Sequence, residues 1–404
     1  LNPEGEITKD DAWREPSRSA PHKEIAVRRL TIDPRPNWQK RVEEYGLHYH
    51  TLRGDPYWDE SACYQFTVFE IDTIELATQT LHSMCLELVQ DVIDKRMFGL
   101  FLIPKEYEDY VIRSWEEREP SIYGRFDLAY DGVGPPRMLE YNADTPTALV
   151  EAAVAQWVWL KDLDERGDQF NSIHERLIDA WKAVKERDAG PIHFTALTQS
   201  DSPEDYITAE YMRDTAMQAG FRTSFIDVTD ISWDRGRNLF VDTSGFPIHR
   251  CFKLYPWEWI FREEFGPHFP RSPTKWVEPA WKSILSCKSI LPLLYERHPD
   301  SPFLLPASFD PLPTGSYIRK PVHAREGANI QVVIDGKMVI ETEGPYQGGP
   351  YVYQAMAPIK PHDGRYPVLG SWVVQDTACG LGIREDDTII TRNTSRFVPH
   401  QMVG

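Results

Sequence analysis

Apolar and polar positions alternate with period two in YGRFDLAY. Phe126, Leu128 and Tyr130 are set against Asp127 and Ala129, and after a turn from Gly132 to Pro136 the apolar run resumes at Met138, Leu139 and Tyr141. This pattern predicts two paired strands, the Ser121 to Thr147 hairpin. Elsewhere the period is helical. Ile71, Ile74, Leu81, Cys85, Leu88 and Val92 mark a long amphipathic helix to about Lys95, opened by a Thr67 to Glu70 capping box. SIHERLIDAWKAVKER predicts a second such helix, and Ala143 to Thr147 read as the turn and cap before a helix in LVEAAVAQWVWL. Asn37 is placed to cap a short helix through Trp38, Val42 and Tyr45, whereas Tyr57 and Trp58 read as packing residues.

Between residues 190 and 260 the two periods alternate. PIHFTAL is a buried strand, SPEDYITAEYMRDTAMQAG a helix ending at Gly220, and FRTSFIDV another strand, which together predict a small parallel α/β subdomain. LFVDTSGFPIHRCFKLYPW adds a hairpin turning at Thr243 to Gly245, and one helix is expected to contain Trp281, Lys288 and Leu291. From Ser316 the pattern is strand, Gly-containing loop, strand, Asp335-Gly336 turn and strand, so residues 316–345 form a candidate lid. YVYQAMAP, VLGSWVVQDTACGLGIRED and TIITRN continue an antiparallel sheet. Residues 1–26 are polar, Pro-containing and aperiodic, and are expected to form a flexible arm before a unit spanning 27–404.

Composition narrows the function. A chain of 404 residues has room for two or three domains or subdomains. Its net charge of −18 and pI of about 5.1 argue against nucleic-acid binding and are compatible with a cationic substrate or with plain solubility. Cys63, Cys85, Cys251, Cys287 and Cys379 are scattered without metal-ligand or redox spacing, which points to a reducing cytoplasm. No run is long and apolar enough for a membrane span, and no secretory signal is expected. No GxGxxG follows the first strand of the α/β unit, which argues against a nicotinamide site.

The candidate chemistry lies in the hairpin. Side chains two apart on a strand share a face, so Arg125 joins Asp127 and Glu140 joins Asn142. Carboxylate and amide oxygens without His or Cys suit a hard cation such as Mg²⁺, and the arginine suggests an anion beside it. Lys320 ends a strand before a proline, as a phosphate-binding lysine would, and Arg325-Glu326-Gly327-Ala328-Asn329 is a loop whose glycine would let backbone N–H groups approach phosphate. Lys288 and Arg384 are further candidate cations, each equally able to form half of a structural salt bridge. Together these groups fit ATP held between two β-sheets.

RFDLAYDG, LEYNADTPT, FKLYPWEW, the Lys320 to Asn329 segment and GIRED, in this order, resemble the synthetase domain of glutathionylspermidine synthase and its stand-alone bacterial relatives, over roughly residues 30 to 400. The resemblance implies an α+β ATP-grasp fold, with a small parallel α/β unit and antiparallel sheets enclosing the nucleotide. It implies that Asp127, Glu140 and Asn142 bind Mg²⁺, and that Arg125 and Arg384 flank the transferred phosphoryl and acyl groups. Lys288 and Lys320 would meet the nucleotide phosphates, the Arg325, Gly327, Ala328 and Asn329 loop would close over them, and Gln354 would line the adenine pocket. Glu258 in PWEW is a candidate carboxylate for a cationic amine, or else a helix-surface glutamate. The implied reaction joins a peptide carboxylate to an amine through an acyl phosphate made from ATP. The chain is too short to hold a second, amidase domain, so hydrolysis of the conjugate is not expected. A metal-dependent phosphohydrolase and a non-catalytic nucleotide-binding protein are the alternatives; the first gives Lys320 and the loop no special task.

Overall fold

The computed structural model describes residues 27–346 and 348–403; the expected arm at 1–26 lies outside them. The chain is organised around a five-stranded antiparallel sheet in the order Arg396–Val398, Thr377–Asp386, Tyr366–Val374, Tyr123–Ala129, Arg137–Asn142. The central hairpin pairs Arg125 with Asn142, Phe126 with Tyr141 and Asp127 with Glu140, with a bulge after Asp127. One face of the hairpin is apolar: Phe126, Leu128, Met138 and Tyr141 join the core under the long helix Val68–Asp94. That helix starts where the sequence predicts. The Glu70 amide donates to Thr67 Oγ1 at 3.3 Å and the Thr67 amide to Glu70 Oε2 at 2.7 Å, a reciprocal cap that satisfies two otherwise orphaned donors. Thr78, about three turns inside it, meets Ser371 of the sheet at 2.7 Å.

A second five-stranded antiparallel sheet, Ala307–Ser308, Tyr351–Gln354, Tyr317–Pro321, Gln331–Ile334 and Lys337–Glu341 in spatial order, faces the polar side of the hairpin. Its tight turn at Asp335 and Gly336 has positive φ at both residues (49° and 73°), the type I′ geometry that matches strand twist. This sheet reaches beyond the expected 316–345, from Ala307 to Gln354.

The parallel sheet runs Lys275–Val277, Arg250–Lys253, Ile192–Ala196, Thr223–Asp227, with the helix Pro203–Gln218 as one crossover. It also exceeds the expected 190–260, taking in Lys275–Val277. The turn near Thr243 to Gly245 exists, but Arg250–Lys253 does not pair back across it and instead becomes an inner strand of the parallel sheet. Cys251 and Phe252 are fully buried there, which a half-exposed hairpin strand would not allow.

Several expectations fail for identifiable reasons. Asn37 precedes the helix Trp38–Glu43 but stands at φ 58° without a side-chain cap bond. TIITRN forms no strand, and the sheet continues only at Arg396–Val398. The helix through Trp281 and Leu291 is broken into Lys282–Leu285 and Ile290–Arg297, with Lys288 in the break. Residues after Asn142 are not a capping turn: Asp144 turns to Lys253 at 2.6 Å and to the Trp257 amide at 2.9 Å. A small sheet that local pattern missed joins Ala62–Thr67 to Arg28–Thr31 and, in parallel, to the distant His400–Val403. Among the described residues no helix is long and apolar enough to cross a membrane.

Candidate active site

The polar face of the hairpin is assembled by strand register. Asp127 accepts from Arg125 Nε at 2.7 Å and from Arg384 Nη2 at 2.9 Å. Arg125 lies across Gly370, where a Cβ would come within 2.9 Å of its Cδ, so any other residue there would push the arginine side chain from this position. Opposite Asp127, Glu140 meets Lys288 at 3.0 Å and takes a bond from Asn142 at 3.3 Å. Burial alone would raise the Glu140 carboxyl, but Lys288 and Lys320 overcome it and hold the group well below the ordinary carboxylate range. Lys320 donates to Gln354 Oε1 at 2.7 Å and to the Leu139 carbonyl at 3.1 Å, and Gln354 in turn donates to the Met138 carbonyl at 3.0 Å. Burial draws the Lys320 ammonium down to about 8 against the pull of Glu140.

Between the two five-stranded sheets lies a cavity of about 190 Å³. Asp127, Glu140, Lys320 and Gln354 line one part; Leu139, Ile318, Ile330, Met356, Val368 and Ile390 make the rest apolar. An apolar slot with a few convergent polar groups is the usual form of a small-molecule site.

The Gly loop divides its work. Gly327 lines this cavity at φ 69°, and a Cβ there would lie 2.5 Å from the Thr391 carbonyl. The Ala328 amide is bound to the Arg325 carbonyl at 2.9 Å and the Asn329 amide to Glu343 at 3.4 Å, so these two hold the loop's shape and do not line the cavity. Arg325 points the other way, donating to Glu258 at 2.7 Å and to Thr145 Oγ1 at 2.7 Å. Glu258 is therefore neither a free anion for an amine nor a helix-surface residue: its carboxylate is held by Arg325.

Acids that the sequence reading passed over stand beside the arginines. Glu204 and Asp205 open the helix after Ile192–Ala196, at the carboxyl end of the parallel strands, Glu326 sits in the Gly loop, and Glu151 follows the turn after Asn142. Glu204 acts electrostatically on Arg125, Glu151, Asp205 and Glu326 alike. Burial first, then Glu204, raises Asp205 to about 6 and lifts Glu326 above its ordinary value. The available signal was positional, because ligands of open α/β sheets gather at the carboxyl ends of the strands.

The sequence profile described as glutathionylspermidine synthase preATP-grasp matches residues 29–403. The chain belongs to this family. Membership places it among the carbon–nitrogen ligases. It is 40% identical, over 93% of its length and 100% of the relative's, to a Haemophilus influenzae protein assigned as an acid–amine ligase. Identity is 30% to the trypanothione synthetase of Crithidia fasciculata, over 81% of this chain and 54% of that one. It is 28% to the bifunctional glutathionylspermidine synthetase/amidase of Escherichia coli, over 86% of this chain and 60% of that one. The chain thus spans little more than half of these two relatives. A glutathione synthetase-like effector from Globodera pallida, solved in its apo form, shares the fold with a TM-score of 0.55 at 9% identity, covering 91% of this chain and 96% of its own.

In this synthase-family chain the oxygen donors fit a hard divalent cation: the Asp127 and Glu140 carboxylates line the cavity together, and the Asn142 amide lies against Glu140. Among the described residues no three His, Cys, Asp or Glu are grouped so that they alone could hold a metal ion, so a cation here would complete its shell with water and substrate oxygens. Mg²⁺ is habitually held that way, through one or two carboxylates and phosphates.

Proposed function

We propose that the chain is an ATP-dependent ligase that joins the carboxylate of a glutathione-like peptide to a polyamine-like amine through an acyl phosphate, on an ATP-grasp scaffold. The carrying observation is that Asp127, shared by Arg125 and Arg384, belongs to two environments: the cavity that it lines with Glu140 and Lys320, and a set of acids in which Glu204 acts on Arg125 and Glu326 feels Arg384. A polyanionic nucleotide suits the first and a cationic amine the second.

Under this reading Asp127, Glu140 and Asn142 hold Mg²⁺, which supplies positive charge against the phosphates. Lys320 and Lys288 meet phosphate oxygens, Gln354 and the apolar walls hold the base, and Gly327 lets the loop lie close over the nucleotide. Arg125 and Arg384 neutralise the peptide carboxylate as its oxygen attacks the γ-phosphorus and ADP departs; positioning and charge neutralisation are the chief means of such transfers. Glu204, Asp205 and Glu326 attract the amine, whose nitrogen then displaces phosphate from the acyl carbon. Enclosure by the loop keeps water from the activated acyl group.

The test is ADP release measured against a panel of peptides and amines. ADP that requires both partners, with an amide product, supports the ligase. Steady phosphate release without an acceptor selects the phosphohydrolase, and nucleotide binding without turnover selects a non-catalytic binder.

A further inference from the structure

Glu151 has no task in the scheme above, yet its setting is unusual. It is fully buried and opens a wide turn, Glu151–Ala155, within the helix that follows the site loop. Such i→i+5 turns recur at functional sites. Its Oε1 accepts from Tyr49 at 3.0 Å and from Tyr57 at 2.8 Å. Its Oε2 is equally buried and has no partner among the described residues. A buried carboxylate oxygen without a donor is costly, and a cationic N–H is the group that would satisfy it. The nearby charge that acts on it most is Glu204, which also acts on Arg125 and Glu326; Arg384 acts on Tyr57.

We infer that Glu151 is the general base of the amine step, a role that rests on the ligase reading above. The acceptor arrives as an ammonium and is no nucleophile until it loses a proton. Oε2 takes that proton, and the nitrogen lone pair then attacks the acyl carbon. The C–N bond forms, the bond from the acyl carbon to the bridging oxygen breaks, and phosphate leaves with that electron pair. The nitrogen's remaining surplus proton goes to the departing phosphate, and Glu151 returns its own to solvent. Tyr49 and Tyr57 fix the carboxylate so that Oε2 is the free oxygen, and burial holds both phenols well above their ordinary pKa, so they stay donors. Burial, with Glu204 adding, lifts the Glu151 carboxyl to about 7, a value suited to exchanging protons near neutrality.

The experiment compares two acceptors with glutathione as the acid: spermidine, whose amines are protonated at neutral pH, and hydroxylamine, which is uncharged there and needs no base. Glu151→Gln is expected to lower spermidine turnover by about 100-fold or more while hydroxamate formation changes by only about 2- to 5-fold. The limb of the spermidine pH–rate profile that rises through about pH 7 should vanish. Glu151→Asp should restore part of the limb. Tyr57→Phe, which removes a bond that lowers the Glu151 pKa, should shift the limb to higher pH, and serves should Glu151→Gln fail to fold. Equal loss with both acceptors, loss with neither, or a limb unmoved in both Glu151→Gln and Tyr57→Phe overturns the base assignment. Absence of any amide or hydroxamate from the unsubstituted chain across the peptide and amine panel overturns the ligase reading itself, and this inference with it.

Discussion

The hairpin face and the acid wall contain similar residues and balance charge in opposite ways. On the hairpin each carboxylate has a cation: Asp127 has two arginines and Glu140 has Lys288. Along the wall, Glu151, Asp205 and Glu326 each feel the charge of Glu204, and burial together with that charge pushes all three toward their neutral forms. Charges already paired form a stable frame, and under the proposed function their partners would be exchanged for a metal and a polyanion. Like charges held together store repulsion that only a cation relieves. Under the ligase reading the first region would serve both fold and chemistry, whereas the second would lower stability in return for attraction to an amine.

Substitution should separate the two regions. Asp127→Ala has the largest expected effect, since it strands Arg125 and Arg384: a loss of about 10³-fold in Mg²⁺-dependent ADP release and about 3 kcal/mol in stability. Assay and thermal melt together check it, and retained turnover would remove Asp127 from the metal set. Glu204→Gln combined with Asp205→Asn should raise the KM for amine by about 10-fold while leaving MgATP binding alone and increasing Tm at neutral pH. The sign follows from Asp205, whose folded pKa is raised to about 6 from 3.8. Its contribution to stability is fully present below the unfolded value and is lost as pH rises through the folded one. The substituted chain should therefore melt higher than the parent at neutral pH and lose that advantage in acid; an unchanged difference across the range would refute the charge argument.

Smaller effects are expected further out. Gly327→Ala forces a side chain into φ 69° and against the Thr391 carbonyl, at a cost of about 1–2 kcal/mol local to the loop. Amide formed per ADP should fall by a few-fold at most, about 2- to 5-fold, and MgATP should no longer slow proteolysis of the loop. Full coupling in this variant would show that the loop is only a connector. Thr67→Ala, which breaks the cap of the long helix, should cost about 1 kcal/mol and leave kinetics untouched, fixing the scale of a purely structural loss.

The sequence by itself determined the elements whose causes are local. The Thr67–Glu70 cap, the period of the long helix, the Asp335-Gly336 turn and the two-residue spacing that puts Arg125 with Asp127 and Glu140 with Asn142 all follow from neighbours in the chain. Tertiary structure decided what depends on distant partners. His400–Val403 becomes a strand only because Ala62–Thr67 offers it an edge, and Arg250–Lys253 is an inner strand only because Ile192–Ala196 and Lys275–Val277 flank it. Asp144 could cap a helix by local rules, but buried Lys253 claims it. Glu258 could bind an amine, but Arg325 reaches it from 67 positions along the chain. The acid wall gathers one residue each from a turn-bearing helix and a loop, and two from a helix start, and no spacing in sequence encodes that meeting. A side chain's charge is written in the sequence, but which opposite charge neutralises it is fixed by packing.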